Sequence, residues 1–191
     1  MNISPVSTQI ILASASPRRR ELLALLGLPF SVEVPEIEEL RTPHETPESF
    51  ALRLAKEKAA AIMAPANTLV LAADTIVIHG TQILGKPKDF VQATEFLRQL
   101  SASEHRVLTA VCLKKDQNQK SFSVSTRVLF RSLSDDEIKA YVDSGEPMDK
   151  AGAYAIQGGA AHMVKALFGS YTNVVGLPLC ELRQVLLEEF G

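Results

Sequence analysis

Residues 68–75 read TLVLAADT, and this run decides the fold class. From Leu69 to Ala73 every residue is apolar, so the alternation of a strand with one wet face is missing. A short run of this kind fits a strand buried on both faces, as at the centre of an α/β sheet. The run closes on Asp74 and Thr75. A carboxylate at the end of a core strand is costly unless a cation faces it, and strand ends are where α/β proteins place their chemistry. Asp74 is therefore the first catalytic candidate in the chain.

Upstream, Thr46 and Pro47 open a helix to about Ala64, with Glu48 in its first turn. Helical spacing gathers Ala51, Leu54, Ala55 and Ile62 on one apolar stripe with Lys58 in its middle, while Arg53 and Lys56 lie opposite. A lysine so placed either snorkels to the edge or points into a polar cavity with an anionic partner, and its small neighbours favour the cavity. Nearer the start, the strand Ile10 to Ala13 runs into Ser14, Ala15, Ser16 and Pro17, then Arg18, Arg19 and Arg20, in a helix that stops at Gly27. Ser16 suits the N-cap and Pro17 the first helical position. Three cations at the positive end of a helix conflict with its dipole, so either they fan into solvent or a polyanion offsets the conflict. Pro29 to Val34 then alternates as a half-buried strand, and the loop after it carries Glu36, Glu38 and Glu39, which are either solvated or able to hold a hard divalent cation.

Downstream, Ile76 to Ile78 lead to a turn at His79 and Gly80 and a return through Ile83 and Leu84 to Gly85, Lys86 and Pro87. Such a hairpin would carry Lys86 towards Asp74; a surface loop lysine is the equal alternative. Asp89 caps a helix to about Ser101 with Ala93, Phe96, Leu97 and Leu100 inward. Strands at His105–Lys115 and Ser121–Arg131 form a hairpin about the polar turn Asp116–Gln119. Ser134 and Glu137 have capping-box spacing for a helix through Val142, ended by Gly145. In the Gly- and Ala-rich segment 146–176, Gln157 follows the strand-like Ala153–Ile156 and precedes Gly158 and Gly159, an arrangement suited either to a turn or to presenting an amide to a flat polar ligand. Pro178–Phe190 closes the chain as a helix with Leu182, Val185 and Leu186 inward.

The chain has 191 residues, 46% of them hydrophobic, enough for one substantial core, and residues 1–191 read as a single domain with two lobes. A net charge of -2 argues against a nucleic-acid polymer as partner. Cys112 and Cys180 read as a buried, reduced pair, and the four scattered histidines give no zinc spacing. Neither a leader nor a membrane span is legible, which points to the cytoplasm. Arg18, Arg19, Lys58 and Lys86 can neutralise a polyphosphate, and Glu39 and Asp74 can bind Mg²⁺ and orient or deprotonate a water. Without a GxxxxGK[ST] motif, a Walker-type kinase or ATPase is not supported. The chemistry indicated is hydrolysis at a nucleotide phosphate.

LASASPRRRELL, IEE at 37–39, AKEKA at 55–59, AADT at 72–75, GKP at 85–87, SGEPMDKAGAYAIQG at 144–158 and GSYTNVVGLPL at 169–179 occur in one order along nearly the whole chain. Together they resemble the Maf family of nucleoside triphosphate pyrophosphatases. The resemblance implies a two-lobed α/β domain around a long mixed sheet flanked by helices, related to the inosine-triphosphate pyrophosphatases, with the active-site cleft between the lobes. It implies release of pyrophosphate from a nucleoside triphosphate with a divalent cation, Mg²⁺ or Mn²⁺. By motif, Asp74 would be the proton acceptor, with Glu39 and Asp74 sharing the metal as the alternative, and Ser14, Arg18, Arg19, Lys58 and Lys86 would contact the triphosphate. Arg18, Thr75 and Gln157 match the base-selecting positions of the dTTP/UTP branch, with modified pyrimidine triphosphates as further substrates and a homodimer as the family's assembly. In this region the chain reads Gly158, Gly159, Ala160, Ala161, where relatives often place the second glycine one residue later. The competing expectations are a 7-methyl-GTP pyrophosphatase and a non-catalytic nucleotide-binding regulator of septum formation.

Overall fold

The computed structural model describes residues 9–190; the first residues of the chain, which bear on the expectation of no leader, lie outside the described residues. The strands are β1 (Ile10–Ala13), β2 (Phe30–Glu33), β3 (Leu69–His79), β4 (Gln82–Leu84), β5 (Glu104–Lys115), β6 (Asn118–Phe130) and β7 (Val164–Phe168). The helices are α1 (Pro17–Ala24), α2 (Pro47–Ala60), α3 (Phe90–Leu100), α4 (Asp135–Asp143), α5 (Tyr171–Val175) and α6 (Leu179–Glu189), with short 3₁₀ turns between α4 and β7. The strands form one mixed sheet in the order β2-β1-β3-β5-β6-β7, with β4 on β3. β1 runs parallel to both β2 and β3, whereas β4 is antiparallel to β3 and β7 antiparallel to β6. The α/β class with a mixed sheet flanked by helices is the one predicted.

Two compact units divide the chain: residues up to Asp74 with Thr109–Val124 and the segment from Gly176, and Thr75–Leu108 with Ser125–Val175. In the first unit Leu12, Leu23, Leu54, Leu69, Leu71, Leu113, Leu182 and Leu186 are buried. In the second, Val77, Leu84, Phe96, Leu97, Leu100, Val107, Val128, Phe130, Ile138, Tyr141, Tyr154 and Met163 form the core. The helix caps follow the sequence: Ser16, Thr46 and Asp89 each accept the backbone N–H three residues on, and Ser134 with Glu137 makes a full capping box.

Several expectations are corrected. β3 does not end at Asp74 but continues to His79, because Ile76, Val77 and Ile78 are buried and β4 pairs with this second half. β2 is largely exposed rather than half-buried; it is an edge strand with β1 as its neighbour, and Val32 stands in solvent. Ala153–Ile156 is no strand, since Gly152 and Ala153 take successive positive φ values of 68° and 58° that turn the chain out of an extended path. α2 ends at Ala60 and α1 at Ala24, each a few residues early; α1 runs on through a turn to Gly27 at φ 66°. The β5–β6 turn is confined to Asp116 and Gln117, with Asn118 and Gln119 already in β6. Cys112 is buried but Cys180 is exposed, so the cysteines are not a buried pair. β7 and α5 have no counterpart in the expectations, because glycine- and alanine-rich sequence carries little periodic signal.

Candidate active site

The β1–α1 turn draws Ser14, Ser16 and Arg19 together. Ser14 is buried, and its Oγ accepts the Ser16 N–H at 3.2 Å and Arg19 Nη1 at 3.3 Å. Ser16 caps α1 through the Arg19 N–H at 3.4 Å, with Pro17 as the first helical residue. Arg19 also donates Nε to the Gly176 carbonyl at 2.9 Å, so its guanidinium is fixed from two sides. Desolvation, the largest influence, draws the Arg19 pKa below its ordinary value; Asp74 opposes this, Arg18 adds to it, and Glu39 opposes it more weakly. Arg18 is half-buried, while Arg20 stands in solvent.

Lys58 holds the second part of this unit's site together. It is buried on the inner stripe of α2, and its Nζ lies 2.6 Å from Asp74 Oδ1 and 2.7 Å from Glu39 Oε1. Lys58 thus has the anionic partner expected of its inward alternative, and in fact two. Asp74 is buried on β3, whereas Glu39 keeps about half of its side chain in solvent. One ammonium between two carboxylates offsets their mutual repulsion and holds both at one point, an arrangement that is costly to break from either side once desolvated. The neighbouring Arg53 is bound elsewhere, to Glu45 and Glu57, as its place on the opposite face of α2 requires.

The remaining predicted residues belong to the second unit. Thr75 is half-buried in β3 directly after Asp74. Lys86 is exposed in the segment after β4, and the β3–β4 register, Val77 against Leu84, returns the chain in the direction of Thr75. Gln157 is exposed at the apex of a turn closed by the Gly158 N–H on the Ala155 carbonyl at 3.0 Å. The structure therefore joins Ser14 to Arg19 and Glu39 to Lys58 to Asp74 by direct contacts, while Thr75, Lys86 and Gln157 lie in the second unit.

The chain that carries this anchored arginine and shared lysine is similar to known proteins. Residues 9–189 match the family model described as Maf-like protein. The chain belongs to the Maf-like family. A dTTP/UTP pyrophosphatase of Hahella chejuensis is 49% identical over 98% of this chain and 95% of its own. Proteins of the same description from Yersinia pestis and Pectobacterium atrosepticum are 52% and 53% identical, over 94% and 91% of this chain and 92% and 89% of theirs. A solved HAM1 protein of Coxiella burnetii covers 95% of this chain and 99% of its own at 17% identity and TM-score 0.49, a likeness too slight to add weight.

In this Maf-like chain the described residues contain no group of three or more His, Cys, Asp or Glu side chains placed to hold a metal ion. Glu39 and Asp74 nevertheless supply two hard oxygen donors converging on Lys58 Nζ. That set suits Mg²⁺, which commonly takes one or two carboxylates and completes its shell with water and phosphate oxygens. No helix among the described residues is long and apolar enough to cross a membrane. Sequence reasoning missed Gly176, whose contribution to Arg19 is a backbone carbonyl and so has no side-chain signature. It also missed Tyr141 and Glu146, which hold the turn carrying Gln157.

Proposed function

We propose that this chain is a cytoplasmic, single-domain nucleoside triphosphate pyrophosphatase that hydrolyses dTTP and UTP to the monophosphate and pyrophosphate. The single observation that carries the chemistry is the Glu39–Lys58–Asp74 cluster at contact distances of 2.7 and 2.6 Å, next to an arginine fixed on Ser14 and Gly176. The description shared by relatives about half identical along nearly their whole length supports the choice of substrate.

On this reading Arg18, Arg19, Lys58 and Lys86 bind the triphosphate oxygens, and Ser14 keeps Arg19 in place. Asp74 takes a proton from a water as that water attacks the α-phosphorus; the bond from the α-phosphorus to the bridging oxygen breaks, and pyrophosphate leaves with the electron pair. Glu39 and Asp74 would hold Mg²⁺ or Mn²⁺, which when bound neutralises phosphate charge. Thr75, Gln157 and Arg18 select the base.

The test is a panel of dTTP, UTP, CTP, ATP, GTP and 7-methyl-GTP assayed side by side with Mg²⁺ or Mn²⁺, following pyrophosphate and monophosphate. The expected result is fastest release from dTTP and UTP. Binding with no hydrolysis of any of them would replace the enzyme by a nucleotide-binding regulator, and 7-methyl-GTP as best substrate would move the base assignment.

A further inference from the structure

Gln157 can read a base only if the turn that carries it keeps one conformation, and the turn itself is poor in means to do so. It contains two consecutive glycines, Gly158 and Gly159, and lies in a segment without regular strand or α-helix. Its fixed points come from outside. Tyr141, buried on α4, accepts the Ala155 N–H at 3.1 Å on its hydroxyl and donates that hydroxyl to Glu146 Oε1 at 2.9 Å. Glu146 in turn accepts the Gly159 N–H on both oxygens, at 3.0 and 3.1 Å. Ala155 and Gly159 are the residues two before and two after Gln157, so the phenol and the carboxylate grip both feet of the turn and leave the glutamine amide exposed at its apex.

The fit is close. A Cβ on Gly158 would lie 2.2 Å from Glu146 Oε1, so the carboxylate occupies the space that any other residue at 158 would need. Burial is the main reason that the Tyr141 phenol holds its proton above the ordinary range; the Ala155 N–H works against this and the Glu146 carboxylate with it. The phenol is thereby kept as the donor that the Glu146 oxygen requires. Glu146 is itself steadied by the Ser144 hydroxyl on its N–H at 3.2 Å and by Lys150 Nζ on its carbonyl at 2.8 Å.

We propose that Glu146, through Tyr141 and the Gly159 N–H, is a positioning residue for base selection, setting the orientation of Gln157 without touching the substrate. The inference rests on the pyrimidine triphosphate reading of the site. Glu146→Gln keeps the size and leaves Oε1 for the phenol, but it removes the charge and replaces Oε2 by an N–H donor that opposes the Gly159 N–H, so the grip on the turn is weakened. The amide at 157 is then free to sample several orientations, and discrimination is lost before hydrolysis is.

The experiment measures kcat/KM for UTP, for CTP, which differs at the base edge, and for ribose 5-triphosphate, which has no base. It uses the full chain, the variants Glu146→Gln and Gln157→Ala, and the double variant. In Glu146→Gln the UTP-to-CTP ratio is expected to fall about tenfold, the scale of one lost hydrogen bond to a charged group, while ribose 5-triphosphate hydrolysis stays within about twofold. In the Gln157→Ala background the same change is expected to have no further effect on the ratio. Equal losses on UTP and ribose 5-triphosphate, or an undiminished effect without Gln157, would overturn the proposal. Tyr141→Phe, which keeps the ring and removes the hydroxyl, should lower the ratio in the same direction by a smaller factor; an unchanged ratio there counts against the clamp even if Glu146→Gln folds poorly. An unmodified chain that releases no pyrophosphate from UTP, or prefers CTP, instead brings down the substrate reading and the positioning role with it.

Discussion

In the first unit three charged side chains far apart in sequence, Glu39, Lys58 and Asp74, meet at one ammonium; in the second a single carboxylate, Glu146, reaches backbone N–H and phenol groups within its own neighbourhood of the chain. The first arrangement buries Lys58 and Asp74 together with Glu39 half in solvent, so the two buried members depend on each other for their electrostatic balance. The second spends its one charge on neutral donors and fixes a conformation rather than a field. On the proposed reading, reactivity and selectivity are built from different materials: ion pairs brought together by tertiary folding, and hydrogen bonds that stiffen a short glycine turn.

The most severe way to probe that contrast is to remove the proposed base. Asp74→Asn is nearly isosteric, so it should leave the fold in place and lower kcat about 10² to 10⁴-fold, measured as pyrophosphate release, with the far-UV circular dichroism unchanged. Near-normal turnover would transfer the base role to another group. Lys58→Met should instead act on stability, costing about 3–5 kcal/mol in denaturant unfolding because Asp74 is left buried beside Glu39 without its cation. Combining it with Asp74→Asn should recover part of that loss, whereas strict additivity would show that the two side chains do not depend on each other.

That dependence is partly legible in the sequence itself. Lys58 stands out because it interrupts an apolar helical stripe, and Asp74 because it interrupts an apolar strand; each anomaly implies a partner, and the two prove to be partners of one another. Glu39 can be singled out among the three carboxylates of its loop only by resemblance, since residues without periodic structure give no face to reason from. The helix caps and the turn before α1 follow from short-range rules, whereas the mixed sheet is expected only through the family resemblance. What stays hidden is made of backbone atoms: the Gly176 carbonyl on Arg19, the Ala155 and Gly159 N–H groups on Tyr141 and Glu146, and the positive φ of Ala153. A carbonyl is present at every position, so its use leaves no mark on the sequence.

A gentler perturbation sharpens the second half of the comparison. Gly158→Ala forces its methyl against Glu146 Oε1 and should cost about 1–2 kcal/mol in thermal or urea unfolding. With Glu146→Ala already in place, the same change should cost close to nothing; an equal cost in both backgrounds would mean that backbone strain, not the carboxylate, demands glycine.

A pH-dependent effect lies in the core of the second unit. His105 is buried, with Nε2 2.9 Å from the Tyr154 hydroxyl and its ring edge-on to Phe130 and Tyr154. Burial lowers its pKa to about 3, with a minor contribution from His79. The unfolded chain takes up this proton below about pH 6.5 while the folded chain refuses it, so the stabilisation is complete above that pH and is lost as pH falls towards 3. The limiting slope is about 1.4 kcal/mol per pH unit. Glu45 and Glu137, lowered to about 2 by Arg53 and Arg131, lose their contributions only below the ordinary carboxylate range. Urea unfolding between pH 6.5 and 5 should therefore be steeper in pH for the unmodified chain than for His105→Gln, and parallel curves would deny His105 this role.

The two cysteines differ in a way that has practical reach. Cys112 is buried and its thiol is pushed up to about 11, while Cys180 stands exposed near the start of α6, a short step along the chain from the Gly176 carbonyl that anchors Arg19. A thiol-selective dye at neutral pH should then attach at one address without any engineering of the sequence. Its emission would offer an optical reporter of what happens at the anchored arginine when a polyphosphate arrives.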